Sequence, residues 1–330
     1  MSLSLKDFYG ILLSAVEQGV SDVFIGVEVP VYWRRYGLLS PLTEHIADSE
    51  DVLKIFTVVA SKGQQGDFYQ NKELDFTWEH QGYRYRIHIY YRLGTIAMAL
   101  RVFPRSIPSL TDLGQAGRVK IFLPYTNGLL LVTGATGAGK TTTVAALLAE
   151  YNRSRAYHIL TLEDPVEYLY PKGRCLFSQQ ELGRDFLDYR RGVISAMREN
   201  PDIIMLAELR DEGTCEAALS AAASGHYVIA TMHTGGAVET VERFISMFAS
   251  VRQGLARSML ASSLRGICSQ QLVQVSDGPQ HCVVEILHNN NAVGNIIRSG
   301  KYEQLTSVMQ SGASQGMQTM EMGMKELGKA

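Results

Sequence analysis

LLLVTGATGAGKTTT, residues 129–143, decides the fold. Leu129 to Thr133 are apolar or β-branched and read as a strand, glycines follow at 134, 137 and 139, and 142–151 has helix-forming composition. Within it, GATGAGKT (134–141) matches G-x-x-x-x-G-K-[ST], a pattern that average composition produces in a chain of this length with a probability on the order of 1%. Glycines let successive backbone N–H groups turn inward around phosphate, and the helix that follows offers its positive end to the same anion. Lys140 is placed for the β- and γ-phosphates and Thr141 for Mg²⁺. Gly134, Ala135, Thr136, Gly137, Ala138, Gly139, Lys140, Thr141 and Thr142 are therefore the expected triphosphate contacts.

Outward from this loop, apolar runs at 128–133, 157–162, 203–207 and 227–232 are short, β-rich and separated by helical stretches. Parallel strands buried on both faces by crossover helices look like this, so the fold class is α/β. Three of the runs end in chemistry: Glu163-Asp164-Pro165, Ala207-Glu208 and His233-Thr234. Ligands of open parallel sheets bind at the carboxyl ends of strands, so these ends and the glycine loop are expected to share one crevice. Any one of these carboxylates alone reads more readily as a helix cap or surface acid. Together beside a phosphate loop, they suit phosphoryl transfer to water, which needs Mg²⁺ held and a water oriented. Glu208 is expected to activate water and to help hold Mg²⁺ with Thr141, with Glu163 next and Asp164 structural or metal-orienting. His233 is expected to sense the γ-phosphate, the alternative being a satisfied, half-buried imidazole.

The first hundred residues mix periods. Helices are expected at 6–18 and 49–60, strands at 22–29, 31–38 and 96–103, and a hairpin of 74–78 with 83–91 around Gln81-Gly82. This gives an α+β module over 1–105, and Pro104, Pro108, Gly114 and Gly117 mark a linker at 106–117. The hairpin arm YRYRIHIYYR (83–92) alternates basic and aromatic residues, with Arg101 on the next strand. It reads as a single-strand nucleic-acid platform, as plain core/solvent alternation, or as a source of arginines for a neighbour's phosphate. In the tail, Met317, Met320, Met324 and Leu327 recur at helical spacing and are expected to pack on a neighbouring surface.

At 330 residues, with 46% hydrophobic and 19% charged positions, the chain is long enough for two domains and unlike a disordered one. A net charge of −2 disfavours general nucleic-acid binding. Cys175, Cys215, Cys268 and Cys282 form no Cys-x-x-Cys pair, which points away from zinc ribbons and towards a reduced, cytoplasmic setting. No secretory signal or membrane-length apolar run is present, so a membrane role is expected to be peripheral.

These motifs in this order resemble the secretion and pilus ATPases, and within them the PilT type of type IV pilus retraction motor. GATGAGKTTT (134–143) resembles the family's Walker A, HILTLEDPVEY (158–168) its Asp box, NPDIIMLAELRD (200–211) its Walker B and ASGHYVIATMHT (223–234) its His box. SMLASSLRGICSQQL (258–272), VVEILHNNNAVGNIIRSGK (283–301) and GMQTMEMGMKEL (316–327) resemble the C-terminal region of the PilT type. Related extension and type II secretion ATPases carry a further N-terminal domain and a four-cysteine zinc site, and neither is seen in this sequence. It departs from the family pattern at Val23-Phe24, where Leu-His is usual, at Ala207, where Gly is usual, and at 292–301, which reads AVGNIIRSGK in place of AIRNLIRE.

The resemblance implies a PAS-like α+β domain over 1–105 and a RecA-like P-loop NTPase domain over 118–330, with ATP as substrate and Mg²⁺ as cofactor. It implies a homohexamer at the cytoplasmic face of the inner membrane, acting on an inner-membrane platform protein (PilC-like), with no nucleic acid. By motif, Glu208 is the Walker B glutamate, Glu163 the Asp-box glutamate, His226 and His233 the His-box histidines, and Arg86 and Arg101 the nucleotide-reaching arginines. A type II or type IVB secretion ATPase shares all four boxes. A RecA-like nucleic-acid translocase remains the rival of another class.

Overall fold

A computed structural model describes residues 3–35, 37–274 and 280–328. The chain divides into two compact units, 1–106 and 107–330.

The first unit contains, in chain order, α1 (Leu5–Glu17), β1 (Asp22–Gly26), β2 (Pro30–Arg35), β3 (Leu38–Ile46), α2 (Ser49–Val59), α3 (Lys62–Asn71), β4 (Glu73–His80), β5 (Tyr83–Arg92) and β6 (Thr95–Val102). Tyr36, within the expected 31–38 strand, lies outside the described residues. The strands form one antiparallel sheet in the order β3-β2-β1-β6-β5-β4. Gln81 (φ 51°) and Gly82 (φ 78°) make the β4–β5 turn, left-handed at both positions as the twist of a two-residue hairpin requires. Alternation along β5 buries Tyr85, Ile87 and Ile89 in a core shared with Phe8, Leu12, Ile55 and Phe56, and sends Arg84, Arg86, His88 and Tyr90 to the other face. Trp33 and Trp78 both pack against this core, and Trp78 stacks on His80 at 5.1 Å.

The helix α3 was not expected. KGQQGDFYQN has almost no apolar stripe, yet a Ser61–Gln64 capping box starts it, and Phe68 lies 5.0 Å from Phe56 and 4.9 Å from Tyr91. One well-anchored aromatic outweighs the missing period.

The second unit runs β7 (Gly128–Gly134), α4 (Lys140–Ser154), β8 (His158–Glu163), β9 (Leu176–Glu181), α5 (Tyr189–Ala196), β10 (Ile203–Leu206), α6 (Glu212–Ala223), β11 (Tyr227–Met232), α7 (Ala237–Ser246), α8 (Gln253–Ser263), β12 (Leu264–Gln274), β13 (Gln280–His288), α9 (Asn291–Ser299), α10 (Leu305–Ser311) and α11 (Met320–Leu327). Its sheet has the order β13-β12-β7-β11-β10-β8-β9, parallel throughout except for β13, which runs antiparallel to β12. Both faces are covered, and the strands divide between them. Leu129, Leu131, Leu160, Ile204 and Val228 enter one core with α6, α7 and α8, while Leu130, Val132, Ile159, Ile203 and Ile229 enter the other with α4. Each such side chain contributes about 2 kcal/mol on burial, which is why these runs are continuously apolar instead of alternating.

The stretch expected to be a linker, 106–117, differs: from Ile107 onward it belongs to the second unit, and part of it enters that unit's core. Leu110 and Ala116 are buried against β7 and α4, and a Cβ on Gly117 would stand 2.1 Å from the Leu110 carbonyl oxygen. A 3₁₀ helix, Gly114–Phe122, occupies part of the region, and prolines and glycines there mark close packing as much as freedom. In the tail, Met317 is buried in the core as expected of the stripe, whereas Met320, Met324 and Leu327 are only half-buried.

Candidate active site

The glycine loop joins β7 to α4. Gly137 (φ 79°) and Gly139 (φ 84°) are left-handed, and a Cβ on Gly134 would come within 2.5 Å of the Gln270 carbonyl oxygen on the neighbouring strand β12. All three glycines of the motif are thus required by the backbone path. Gly139 caps α4 without a side-chain bond, so the first N–H groups of the helix point into the loop.

Lys140 lies back under the loop, 8% exposed. Its Nζ donates to the carbonyls of Gly134 and Ala135, both at 2.9 Å, and to His233 Nδ1 at 3.3 Å. Burial lowers the ammonium below its ordinary value, and the Glu208 charge opposes that. An ammonium only donates, so Nδ1 is the acceptor of the His233 ring and Nε2 faces outward, 3.3 Å from Glu208 Oε2. The same oxygen is 2.7 Å from Arg210 Nη2. Lys140, His233, Glu208 and Arg210 form one continuous chain, drawn from the start of α4 and the ends of β11 and β10. Arg210 stands above its ordinary value chiefly through its hydrogen bond to Glu208, with smaller contributions from Tyr189 and Asp164.

Glu163 ends β8 and is 4% exposed. Burial pushes its carboxyl up to about 7, against hydrogen bonds from Thr161 (2.6 Å) and Gln179 (3.2 Å). Gln179 also donates to the Tyr168 carbonyl at 2.8 Å, and the Tyr168 hydroxyl meets Thr142 Oγ1 at 3.0 Å, which ties this acid to the first turn of α4. Asp164 is exposed beside it, and Thr141 is half-buried at the start of α4. If Glu163 works as a carboxylate, kcat rises with pH through about 7 and levels off above, and Glu163→Gln flattens the profile. A pH–rate series on both proteins checks this, and a profile unchanged by the substitution removes Glu163 from the rate-limiting chemistry. The same raised value makes the fold hold an extra proton, so the stabilisation linked to it is complete below the ordinary glutamate range and is lost as pH rises through about 7.

The opposite flank of the loop opens on a cavity of about 600 Å³ lined by Gln115, Arg118, Gly139, Thr142, Gln270 and Cys282. Gln270 is 3% exposed; its Nε2 donates to Thr143 Oγ1 at 2.9 Å and Cys282 Sγ at 3.2 Å.

Not every expected residue joins this cluster. His226 precedes β11, at the end of the sheet away from the glycine loop, and roughly 20 Å of extended strand separates it from His233. Its Nδ1 lies 3.2 Å from the Ala221 carbonyl and 3.0 Å from Ser224 Oγ, as in a structural turn. As a nucleotide contact of its own loop it is corrected by this placement. Arg86 and Arg101 face each other across β5 and β6. Two like charges so placed repel, and flanking acids offset that: Arg86 Nη2 meets Asp75 at 2.6 Å and Arg101 Nε meets Asp22 at 3.2 Å. Arg210 was missed, although residues two apart in extended chain share a side and Glu208-Leu-Arg210 carries that signal. Gln179 and Gln270 had none, since long-range strand pairing alone delivers them.

Residues 6–324 match the family described as type II/IV secretion system protein. The chain is 34% identical over 322 residues to the type IV pilus retraction ATPase PilT of Pseudomonas aeruginosa, covering 97% of this chain and 94% of that protein. It is 39% identical over 312 residues to the uncharacterized protein YggR of Escherichia coli, covering 94% and 95%. The crystal structure of the pilus retraction motor PilT with bound ADP superposes with a TM-score of 0.89 at 34% identity, covering 97% of this chain and 92% of that one.

Proposed function

The chain belongs to the type II/IV secretion system protein family, and from that premise we propose that it is an ATP-driven motor of the pilus-retraction type. The observation that carries the reading is the unbroken chain Lys140–His233–Glu208–Arg210, which brings two further motifs, those of His233 and of Glu208 with Arg210, to the glycine loop.

In this reading the N–H groups of 134–141 and Lys140 hold the β- and γ-phosphates, with the nucleoside end directed towards the cavity at Gln115 and Gln270. The γ-phosphate then points to the flank that bears the acids. Glu208 accepts the proton of the attacking water, Arg210 and His233 fix its carboxylate, and Glu163 supports the same water from β8. Thr141 and Glu208 offer a hydroxyl and a carboxylate, all-oxygen donors that suit Mg²⁺ shared with a substrate's phosphates. Among the described residues no group of three His, Cys, Asp or Glu stands ready to hold a metal ion. Bound at Thr141 and Glu208, Mg²⁺ would supply charge neutralisation to the phosphates.

The assembly belongs to the proposal as well: a homohexamer at the cytoplasmic face of the inner membrane, working on a platform protein, with Arg86 and Arg101 giving up their aspartates for nucleotide. Among the described residues no helix is long and apolar enough to cross a membrane. Deleting the gene and imaging surface pili tests the direction of work. Hyperpiliated cells without surface motility are expected, and bald cells would overturn retraction in favour of extension or secretion.

A further inference from the structure

On β13, opposite Ser269 of β12, stands Glu285. Its Oε1 accepts the N–H of Ala237 at 2.6 Å and its Oε2 the N–H of Met320 at 3.2 Å. Ala237 and Met320 are the first residues of α7 and α11, where backbone N–H groups have no partner within their own helix. The α7 cap is Gly236, which has no side chain for the purpose, and a carboxylate placed there also meets the positive end of the helix. One acid therefore caps two helices far apart in sequence.

A second set of bonds ties the same turn to the glycine loop. Thr240 Oγ1 lies 2.7 Å from Thr234 Oγ1, 2.6 Å from the Gly236 carbonyl and 3.3 Å from Thr133 Oγ1, and Thr133 Oγ1 lies 2.8 Å from Ser269 Oγ. Thr133, Thr240 and Ser269 are fully buried, and Thr234 is 3% exposed. Thr133 immediately precedes Gly134, and Thr234 immediately follows His233. The turn that carries His233 is held at one end by hydroxyls from beneath the glycine loop and at the other by Glu285.

We propose that Glu285 is a positioning residue that sets His233 against Lys140 and Glu208, and that through its second oxygen the C-terminal helix α11 takes part in that setting. The inference rests on the reading of this site as an ATPase centre. An ionised carboxylate accepts from both N–H groups strongly, whereas a carboxamide keeps only one acceptor oxygen.

The test compares kcat and KM for ATP in the parent chain, Glu285→Ala, Glu285→Gln, Met320→Pro and the double variant Glu285→Ala/Met320→Pro. Proline suits position 320: Thr319 before it is extended (φ −80°, ψ 159°), and a first helical residue needs no bond within its helix. Met320→Pro therefore deletes the N–H that Oε2 receives together with a half-buried side chain, and Met320→Ala, which keeps the N–H, separates the two effects. Glu285→Ala is expected to lower kcat about tenfold with KM within about twofold, because the groups that hold the phosphates are untouched. Glu285→Gln is expected to fall between it and the parent, Met320→Pro to lower kcat about threefold, and the double variant to be no worse than Glu285→Ala alone. An active parent with unchanged kcat in Glu285→Ala overturns the inference, as does a loss confined to KM or an additive double variant. An inactive parent overturns the ATPase function itself and this inference with it. Should Glu285→Ala fail to fold, Glu285→Gln and Met320→Pro carry the same comparison.

Discussion

Glu208→Gln is expected to bind ATP within a few-fold of the parent affinity and to hydrolyse it about 10²- to 10⁴-fold more slowly. The substitution keeps the shape of a side chain that is 16% exposed and wedged between Arg210 Nη2 at 2.7 Å and His233 Nε2 at 3.3 Å. What it removes is the negative charge and with it the capacity to take a proton from water. In the proposed reading the phosphate contacts belong to other residues, 134–141, so binding and turnover are expected to separate. Titration with a fluorescent ATP analogue and single-turnover hydrolysis read the two quantities independently. Near-normal turnover would strip Glu208 of its role and leave Glu163, already placed at the end of β8, as the residue to test next.

Lys140→Ala has the opposite signature: ATP affinity falls about 10- to 100-fold, the loss of one charge-assisted contact to phosphate, and hydrolysis disappears with it. Its ammonium is held at the loop by two of the loop's own carbonyls. Alanine removes a buried cation whose burial already works against its charge, and the fold is therefore expected to survive. The same fluorescent titration, with thermal melting as the control for folding, decides the matter. Affinity equal to that of the parent would mean that the glycine loop does not hold the triphosphate.

The sequence made the centre of the second unit legible because its signals are local. A glycine loop announces itself in eight residues, and a strand buried on both faces shows as an unbroken apolar run, as in Leu129 to Val132. Glu163, Glu208 and His233 could be placed because each ends such a run. What remained hidden depends on pairings between distant segments. β9 reads LFSQQE, with neither alternation nor a continuous apolar run, and only its pairing with β8 makes it a strand and brings Gln179 to Glu163. The β12–β13 hairpin, which supplies Gln270 and Glu285, is likewise fixed by its register against β7. His226 shows the converse: it falls within a motif by sequence, while strand direction sends it to the end of the sheet away from the glycine loop.

The only two tryptophans of the chain, Trp33 and Trp78, both lie in the first unit. The nucleotide-binding unit is therefore dark in tryptophan emission, and the chain carries a built-in optical reporter in the unit that does not hold the glycine loop. A change in emission on adding ATP is then a message written in one unit and read in the other, obtainable on the unlabelled protein within the time of a single mixing experiment.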